Sequence, residues 1–381
     1  MIIYLLWFFA SVLVFIGTLK SDRKTQHTAV TLFLIALGIF VGLGDMLGGY
    51  DRYIYAELFD NMADWNNMGG NPWLSPSFLF YGSEFGYGTF CALLTYVTAN
   101  RYIFIFVLTI VTYVLLIRSL RDYVDNAPFA VVVFMALWFF FTFTYLRQVI
   151  GCTIVWLSVK YIINRDLKRF LLVVFLGLSF HNSAIVFLPM YFVPVRKFPV
   201  RIVMYIMIGA LFIGLSPLPQ ALFSAYGNID ADRANLNTYE MDAGFRWAYL
   251  LEAVFFLYVI FKNYNVISTK SKDVVMLNLA LVFCAILLIF VRSENGGRLG
   301  WLFMIGVMCT MSNLCVKGKV LRKQGVMILA VSFFLFFRIL NLWSFNMCPY
   351  KTFLTPGHMA TEWIHQEYEY DYHYDINKFY R

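Results

Sequence analysis

The sequence predicts an all-α polytopic integral membrane protein, and three observations carry that prediction. Of 381 residues, 61% are Ala, Val, Ile, Leu, Met, Phe, Trp, Tyr or Cys, and only 14% are Asp, Glu, Lys or Arg. Soluble chains run nearer roughly 45–50% apolar and 25% charged. The mean hydropathy is +0.69. The apolar residues form long continuous runs, not the alternation over about 10 residues of a barrel strand. A water-soluble enzyme, a disordered chain and a transmembrane barrel are thereby excluded. A span takes roughly 20 apolar residues and a short connection, so the chain has room for about 12 or 13.

Apolar segments fall at about 2–19, 29–47, 85–98, 102–117, 128–146, 149–164, 170–180, 183–195, 202–217, 246–261, 274–292, 298–316 and 325–344. The first has no basic n-region and is followed by Lys20, Arg23 and Lys24. It therefore reads as a retained span and not as a cleaved signal. Five basic connections follow one rule: Lys20/Arg23/Lys24, Lys160/Arg165/Lys168/Arg169, Arg196/Lys197/Arg201, Lys262/Lys270/Lys272 and Lys317/Lys319/Arg322/Lys323. They account for most of the basic excess behind the net charge of +8. This is the positive-inside pattern, which places all five in the cytoplasm and makes nucleic acid an unneeded partner. The connection Arg118–Asp125 is charge-balanced and less decisive.

Stretches 48–83 and 218–245 then lie outside, as does the Tyr- and acid-rich tail 346–381. Segment 85–98 is too short for an untilted span, and a full crossing there would invert every later basic loop. It is predicted to be re-entrant or half-depth, which is tolerated where protein or a water cavity covers the backbone. Twelve full crossings remain, with both termini extracytoplasmic. Basic clusters flank 170–195 on both sides, so this stretch reads as a hairpin with Ser179–Ser183 at its tip. No repeat or low-complexity linker divides the chain, so residues 1–345 form one membrane domain. The cysteines, Cys91, Cys152, Cys284, Cys309, Cys315 and Cys348, form no CxxC pair and read as buried small hydrophobes.

Soluble-enzyme motifs for nucleotides, metals or acyl transfer are missing, and no cofactor or metal is expected. The informative residues are charges beside apolar runs, since a charge at mid-bilayer costs about 2.5–3.5 kcal/mol on insertion scales. Arg147 sits where two spans meet. It is either a snorkelling interfacial arginine or a clamp for an anion, which guanidinium holds bidentately. His181, at the hairpin tip, is either a satisfied structural residue or a proton carrier. Asp51 and Tyr55 share one helix face, and Glu84 opens the short segment. Either acid has an alternative reading as a helix N-terminal charge that favours the dipole.

Arg246 starts a later span, and Arg292, Glu294 and Arg298 crowd a very short outer loop, where they could simply pair with one another. All these residues fall at the outer ends of spans. Three arginines with carboxylates and one His around one external recess suit an anionic ligand plus acid–base work.

The same residues carry a family resemblance. Gly49–Tyr55, Glu84–Tyr87, Tyr145–Gly151, Phe180–Ile185, Gly244–Trp247 and Asn295–Leu299 occur in the order of the EpsG family, the Wzy-like polymerases of bacterial exopolysaccharide and O-antigen, over roughly residues 45–300. The chain departs from the pattern around Asp51, flanked by Tyr50 and Arg52, and at Gly151, where the family more often has Ala.

The resemblance implies a GT-C-like membrane glycosyltransferase at the outer face of the bacterial cytoplasmic membrane. It would move a growing glycan from undecaprenyl pyrophosphate onto a lipid-linked repeat unit, without a nucleotide sugar. A flippase and a chain-length regulator of the same pathway are the implied partners. In that chemistry Arg147, Arg246 and Arg298 would bind the pyrophosphate, helped by Arg292, Glu294 and Tyr55. Asp51 or Glu84 would be the base, with His181 as the alternative. A flippase of lipid-linked sugars and a polysaccharide ligase are the rival readings. A flippase should show charges along the whole path, and a ligase differs only in its acceptor.

Overall fold

The computed structural model describes residues 1–221, 244–293, 295–357 and 371–381. Almost everything described is helical. In chain order the helices are α1 (Ile2–Thr18), α2 (Arg23–Leu43), α3 (Tyr50–Asn67), α4 (Pro76–Tyr81), α5 (Phe85–Thr95), α6 (Arg101–Tyr123), α7 (Ala127–Leu137) and α8 (Leu146–Trp156). They continue with α9 (Val159–Ile163), α10 (Leu167–Phe180), α11 (Val200–Leu215), α12 (Trp247–Lys262), α13 (Ser271–Ile289), α14 (Met304–Cys315), α15 (Lys323–Met347) and α16 (Asp371–Ile376). A small antiparallel hairpin, Val316–Lys317 with Val320–Leu321, joins α14 to α15.

Local chemistry sets many of these boundaries. Asp22 Oδ1 caps α2 by accepting the Thr25 N–H at 3.3 Å. Asn100 Oδ1 accepts the N–H groups of Tyr102 and Ile103 at the start of α6. Asn126 and Asp166 do the same for α7 and α10. Each satisfies backbone donors that a helix start leaves open.

Among the described residues, six stretches are long and apolar enough to cross a membrane: α2, α6, Leu146–Ile163, α13, Gly296–Cys315 and α15. That is half of the twelve crossings expected. Ile2–Thr18, Ala127–Leu137, Asn182–Phe192 and Val200–Leu215 are apolar but shorter. Three expected helices are also modified, one of them 298–316, which is 3₁₀ over Gly296–Phe303 and α only from Met304. The segment 128–146 stops as α-helix at Leu137 and continues as a 3₁₀ run, Phe139–Phe143. The second hairpin arm, Asn182–Phe192, is 3₁₀ throughout and carries Pro189. Proline has no N–H to donate and crowds the carbonyl four residues earlier, which disfavours the α form.

The connections sort to two ends of the bundle. At one end Asp125 pairs with Arg23 at 3.4 Å and with Lys272 at 2.9 Å. Asn313 reaches Asp273, Gln324 reaches Asn263, and Lys197 Nζ donates to the Ile267 carbonyl. Arg165 donates to the Tyr191 carbonyl at 2.7 Å. The basic connections therefore share one end, and the charge-balanced connection after α6 joins them.

The other end gathers the remaining turns. The Tyr4 hydroxyl donates to the Met347 carbonyl, and the Gly48 N–H donates to the Asn346 carbonyl. The Arg246 N–H donates to Val291, and Arg292 Nη1 to Leu215. Helix α5 has both of its ends here. Glu84 before it meets Arg147 and Asn182, and the Thr95 carbonyl at its end accepts from Asn66. At roughly 16 Å long it is too short to reach the basic end.

One large apolar core runs through most helices, and a second surrounds α3, α5, α6 and α8 with Tyr55, Phe59, Tyr87, Phe104 and Ile150. The stretch 48–83 is thus a folded cap and not a solvated loop. Of the expected outer stretch 218–245, residues 222–243 lie outside the described residues. Large apolar side chains stay exposed along α1, α11, α12 and α15, among them Leu13, Tyr205, Phe212, Leu251 and Phe334. Continuous bands of this kind mark a surface that meets lipid or protein. All six cysteines are free; five are buried and Cys348 is half-buried.

Candidate functional site

The site end is built around the start of α3. Gly48 and Gly49 have φ of +104° and +103°, a backbone that side-chain-bearing residues rarely adopt. A Cβ on Gly48 would lie 3.0 Å from the Phe143 Cβ. The turn therefore lets α3 begin directly against the 3₁₀ run that precedes α8. Arg52, fully buried, fixes this junction by donating to the Phe143 carbonyl at 2.9 Å and the Gly44 carbonyl at 2.7 Å. The side chain of Asp51, its neighbour, makes no hydrogen bond to another described residue. Burial pushes the Asp51 carboxyl above its ordinary range, and the nearby Arg298 and Arg147 charges pull it back.

Arg147 lies in the first turn of α8, where a cation opposes the helix dipole and needs a partner. Its Nη1 is 2.5 Å from Glu84 Oε2. The guanidinium centre sits 5.1 Å from the Tyr55 ring and 5.9 Å from the Tyr81 ring, within cation–π range. Glu84, 1% exposed, also accepts the Asn182 N–H at 2.9 Å through Oε1. Both of its oxygens are thus committed, one to α8 and one to the hairpin tip.

His181 ends α10 in an extended conformation (φ −156°) and caps the following 3₁₀ run, its Nδ1 accepting the Ser183 N–H at 3.1 Å. A Cβ on Gly151 would lie 3.1 Å from the His181 Cβ. The glycine thus seats the hairpin tip close against α8. The Ser183 contacts of His181 hold its own turn.

A second group of charges lines a cavity of about 340 Å³ beside this one. Arg246 and Arg298 reach it, with Trp301, Trp343, Phe141 and Tyr145 as aromatic wall. Arg298 stands 4.7 Å over the Tyr145 ring, and its carbonyl accepts from Gln148. Arg147, two residues from Tyr145, does not line the cavity; the Asp51 carboxylate feels the charges of both Arg298 and Arg147. The expected arginines thus form two groups, each with one member within electrostatic reach of Asp51. Arg292 is placed apart from both. It is exposed and caps the Leu215 carbonyl at 3.4 Å. Glu294 lies outside the described residues.

Two lining residues are absent from the sequence expectation: Glu252, in α12, and Arg338, in α15. Each interrupts an apolar run, Leu250-Leu251-Glu252-Ala253-Val254 and Phe336-Phe337-Arg338-Ile339-Leu340. That interruption is the signal by which they could have been found. Among the described residues, no group of His, Cys, Asp and Glu could hold a metal ion.

Comparison with protein families matches residues 29–352 to the model of the EpsG family. No curated protein and no solved structure matches the chain.

Proposed function

The chain belongs to the EpsG family, and from that premise we propose that it polymerises lipid-linked polysaccharide repeat units. Membership supports a repeat-unit polymerase-like role in general; the donor, the acceptor and the side of the membrane are part of this proposal. The donor is a growing glycan on a polyprenyl pyrophosphate, and the acceptor is a single lipid-linked repeat unit. The site end faces outward and the basic connections face the cytoplasm, in keeping with the positive-inside rule. Twelve crossings, the shorter ones accommodated by packing within the bundle, give both termini an extracytoplasmic position.

The observation that carries the reading is Asp51, a partly buried carboxyl within electrostatic reach of Arg147 and of Arg298, which lines the cavity together with Arg246. In the reaction an acceptor hydroxyl oxygen attacks the donor's anomeric carbon. The bond from that carbon to the pyrophosphate oxygen breaks, and the electron pair leaves with the pyrophosphate. Arg246, Arg298 and Arg147 offset the charge that develops there, a role fixed guanidinium groups perform without a metal. Asp51 takes the hydroxyl proton, because Glu84 is already spent on Arg147 and Asn182. Glu84 is then a positioning residue, and His181 orders the hairpin tip on which Asn182 sits. The aromatic wall of Trp301, Trp343 and Phe141 offers flat faces for sugar rings or prenyl chain.

The test is deletion of the gene followed by profiling of lipid-linked glycans. Collapse of the ladder to one repeat, restored by the intact gene, is the expected result. Full-length glycan stranded on carrier would instead identify a ligase, and loss of all external repeats a flippase.

A further inference from the structure

Arg338 is out of place by the ordinary rules. It lies nine residues before the end of α15 and is exposed, on a helix whose neighbouring Phe334, Phe337 and Leu342 are exposed apolar side chains. An arginine on such a face is expensive unless an anion meets it. Such an anion is Glu252, which lines the same cavity from α12, and the two charges interact. Helix α12 packs on α13 and α14, while α15 packs on α7, α14 and α1. The cavity therefore occupies the seam between α12 and α15. Exposed apolar residues flank that seam on both sides, Leu251 and Val254 on α12 and Phe334 and Leu342 on α15. Arg246 and Arg298 lie in the same cavity, so an anion passing Arg338 arrives among them.

We infer that the seam between α12 and α15 is a lateral binding site for the pyrophosphate of a polyisoprenyl carrier, with Arg338 as its outermost anion-binding residue and Glu252 as the internal counter-ion that the incoming pyrophosphate displaces. The carrier's prenyl chain lies along the exposed apolar faces, and its pyrophosphate is handed from Arg338 to Arg246 and Arg298. The inference takes its substrate class from the proposed function. It adds an entry site and two residues that the polymerase chemistry does not require.

The test uses the purified full-length protein in detergent, with geranylgeranyl pyrophosphate and inorganic pyrophosphate as probes. Binding is read from the fluorescence of the tryptophans, two of which, Trp301 and Trp343, line the cavity. Arg338→Gln is expected to weaken geranylgeranyl pyrophosphate by about tenfold or more, and Arg338→Lys by less, since the ammonium keeps the charge but not the bidentate fork. Glu252→Gln is expected to tighten it by about threefold, because the competing internal anion is gone. A purely structural ion pair would show in Glu252→Gln as a lower Tm without tighter binding. Wild-type affinity in an Arg338→Gln protein of unchanged Tm would overturn the inference, as would equal, Arg338-dependent affinity for inorganic pyrophosphate. If the lipid probe behaves as expected while a deletion strain keeps its full glycan ladder, the lateral site stands and the polymerase reading falls.

Discussion

Lys378 Nζ lies 3.0 Å from Asp45 Oδ2, and both side chains are only 5% exposed. This pair joins the last turn of the chain to the link between α2 and α3. A companion pair stands beside it: Arg101 Nη2 is 2.5 Å from Asp60 Oδ2, both 1% exposed. The Tyr374 hydroxyl donates to Asp60 at 3.1 Å, and Arg381 Nε approaches the same carboxylate at 3.8 Å. The C-terminal segment is thus bound to α3, the helix that carries Asp51 in its first turn. Its docking gives the tail a definite role in holding that helix.

Breaking one half of the Lys378–Asp45 pair leaves a buried charge uncompensated. Lys378→Met should therefore lower stability by about 3–5 kcal/mol. Adding Asp45→Asn should restore a large part of the loss, since no lone charge then remains. Thermal unfolding of the detergent-solubilised proteins checks both. A double variant no more stable than Lys378→Met would show that the pair is not the source of the effect.

Arg147 makes a second prediction. Arg147→Ala should insert normally yet leave single-repeat lipid-linked units accumulating, and Arg147→Lys should recover only part of the activity because the contact with Glu84 and the stacking on Tyr55 both favour a planar guanidinium. Glycan profiles of complemented deletion strains report the outcome. Normal-length polymer from the alanine variant would remove Arg147 from the mechanism.

The apolar segments were legible because burying them leaves no other choice of environment, and each run reappears as a helical segment, though 128–146 and 298–316 are 3₁₀ over part of their length. The ends of Glu84–Arg147 and the hairpin tip at His181 were legible as places, because charge beside an apolar run demands a partner. The partner identities were not. Glu84 and Arg147 are 63 residues apart, and Lys378 and Asp45 are 333 apart; nothing local encodes either pairing. The end of α7 at Leu137 was hidden for a related reason. No Gly or Pro occurs between Trp138 and Phe143. The 3₁₀ run there is held by tertiary bonds, from Arg52 to the Phe143 carbonyl and between Tyr113 and Thr142. Glu252 and Arg338 were within reach, but they interrupt the middle of runs whose ends carry more conspicuous charge.

Gly48 should tolerate no side chain. Gly48→Ala places a Cβ on a backbone at φ +104° and 3.0 Å from the Phe143 Cβ. Strain of this kind costs about 1–3 kcal/mol. Because the turn sets where α3 starts, the variant should lose activity beyond its loss of stability. Comparing Tm with glycan ladder length separates the two; full activity at reduced Tm would show that Asp51 keeps its place without the glycine turn.

The Asp51 carboxyl is raised by burial and held down by the Arg298 and Arg147 charges. A base must be unprotonated to accept the acceptor's proton, so polymerisation should fall with acid at a higher pH than an ordinary carboxylate would give. Removing an attractive cation raises the carboxyl further. Arg298→Gln should therefore move the acid limb of the pH–rate profile upward, in addition to lowering the rate at its plateau. Asp51→Asn should abolish the rate where Asp51 is the base. The linked stability change runs the other way: a carboxyl whose folded value is raised favours the folded state on the acid side, and that contribution is lost as the pH rises above the carboxyl's unfolded value. Profiles measured with lipid-linked repeat units in membranes decide the matter. An acid limb that stays fixed in Arg298→Gln would assign the titration, and with it the proton transfer, to another group.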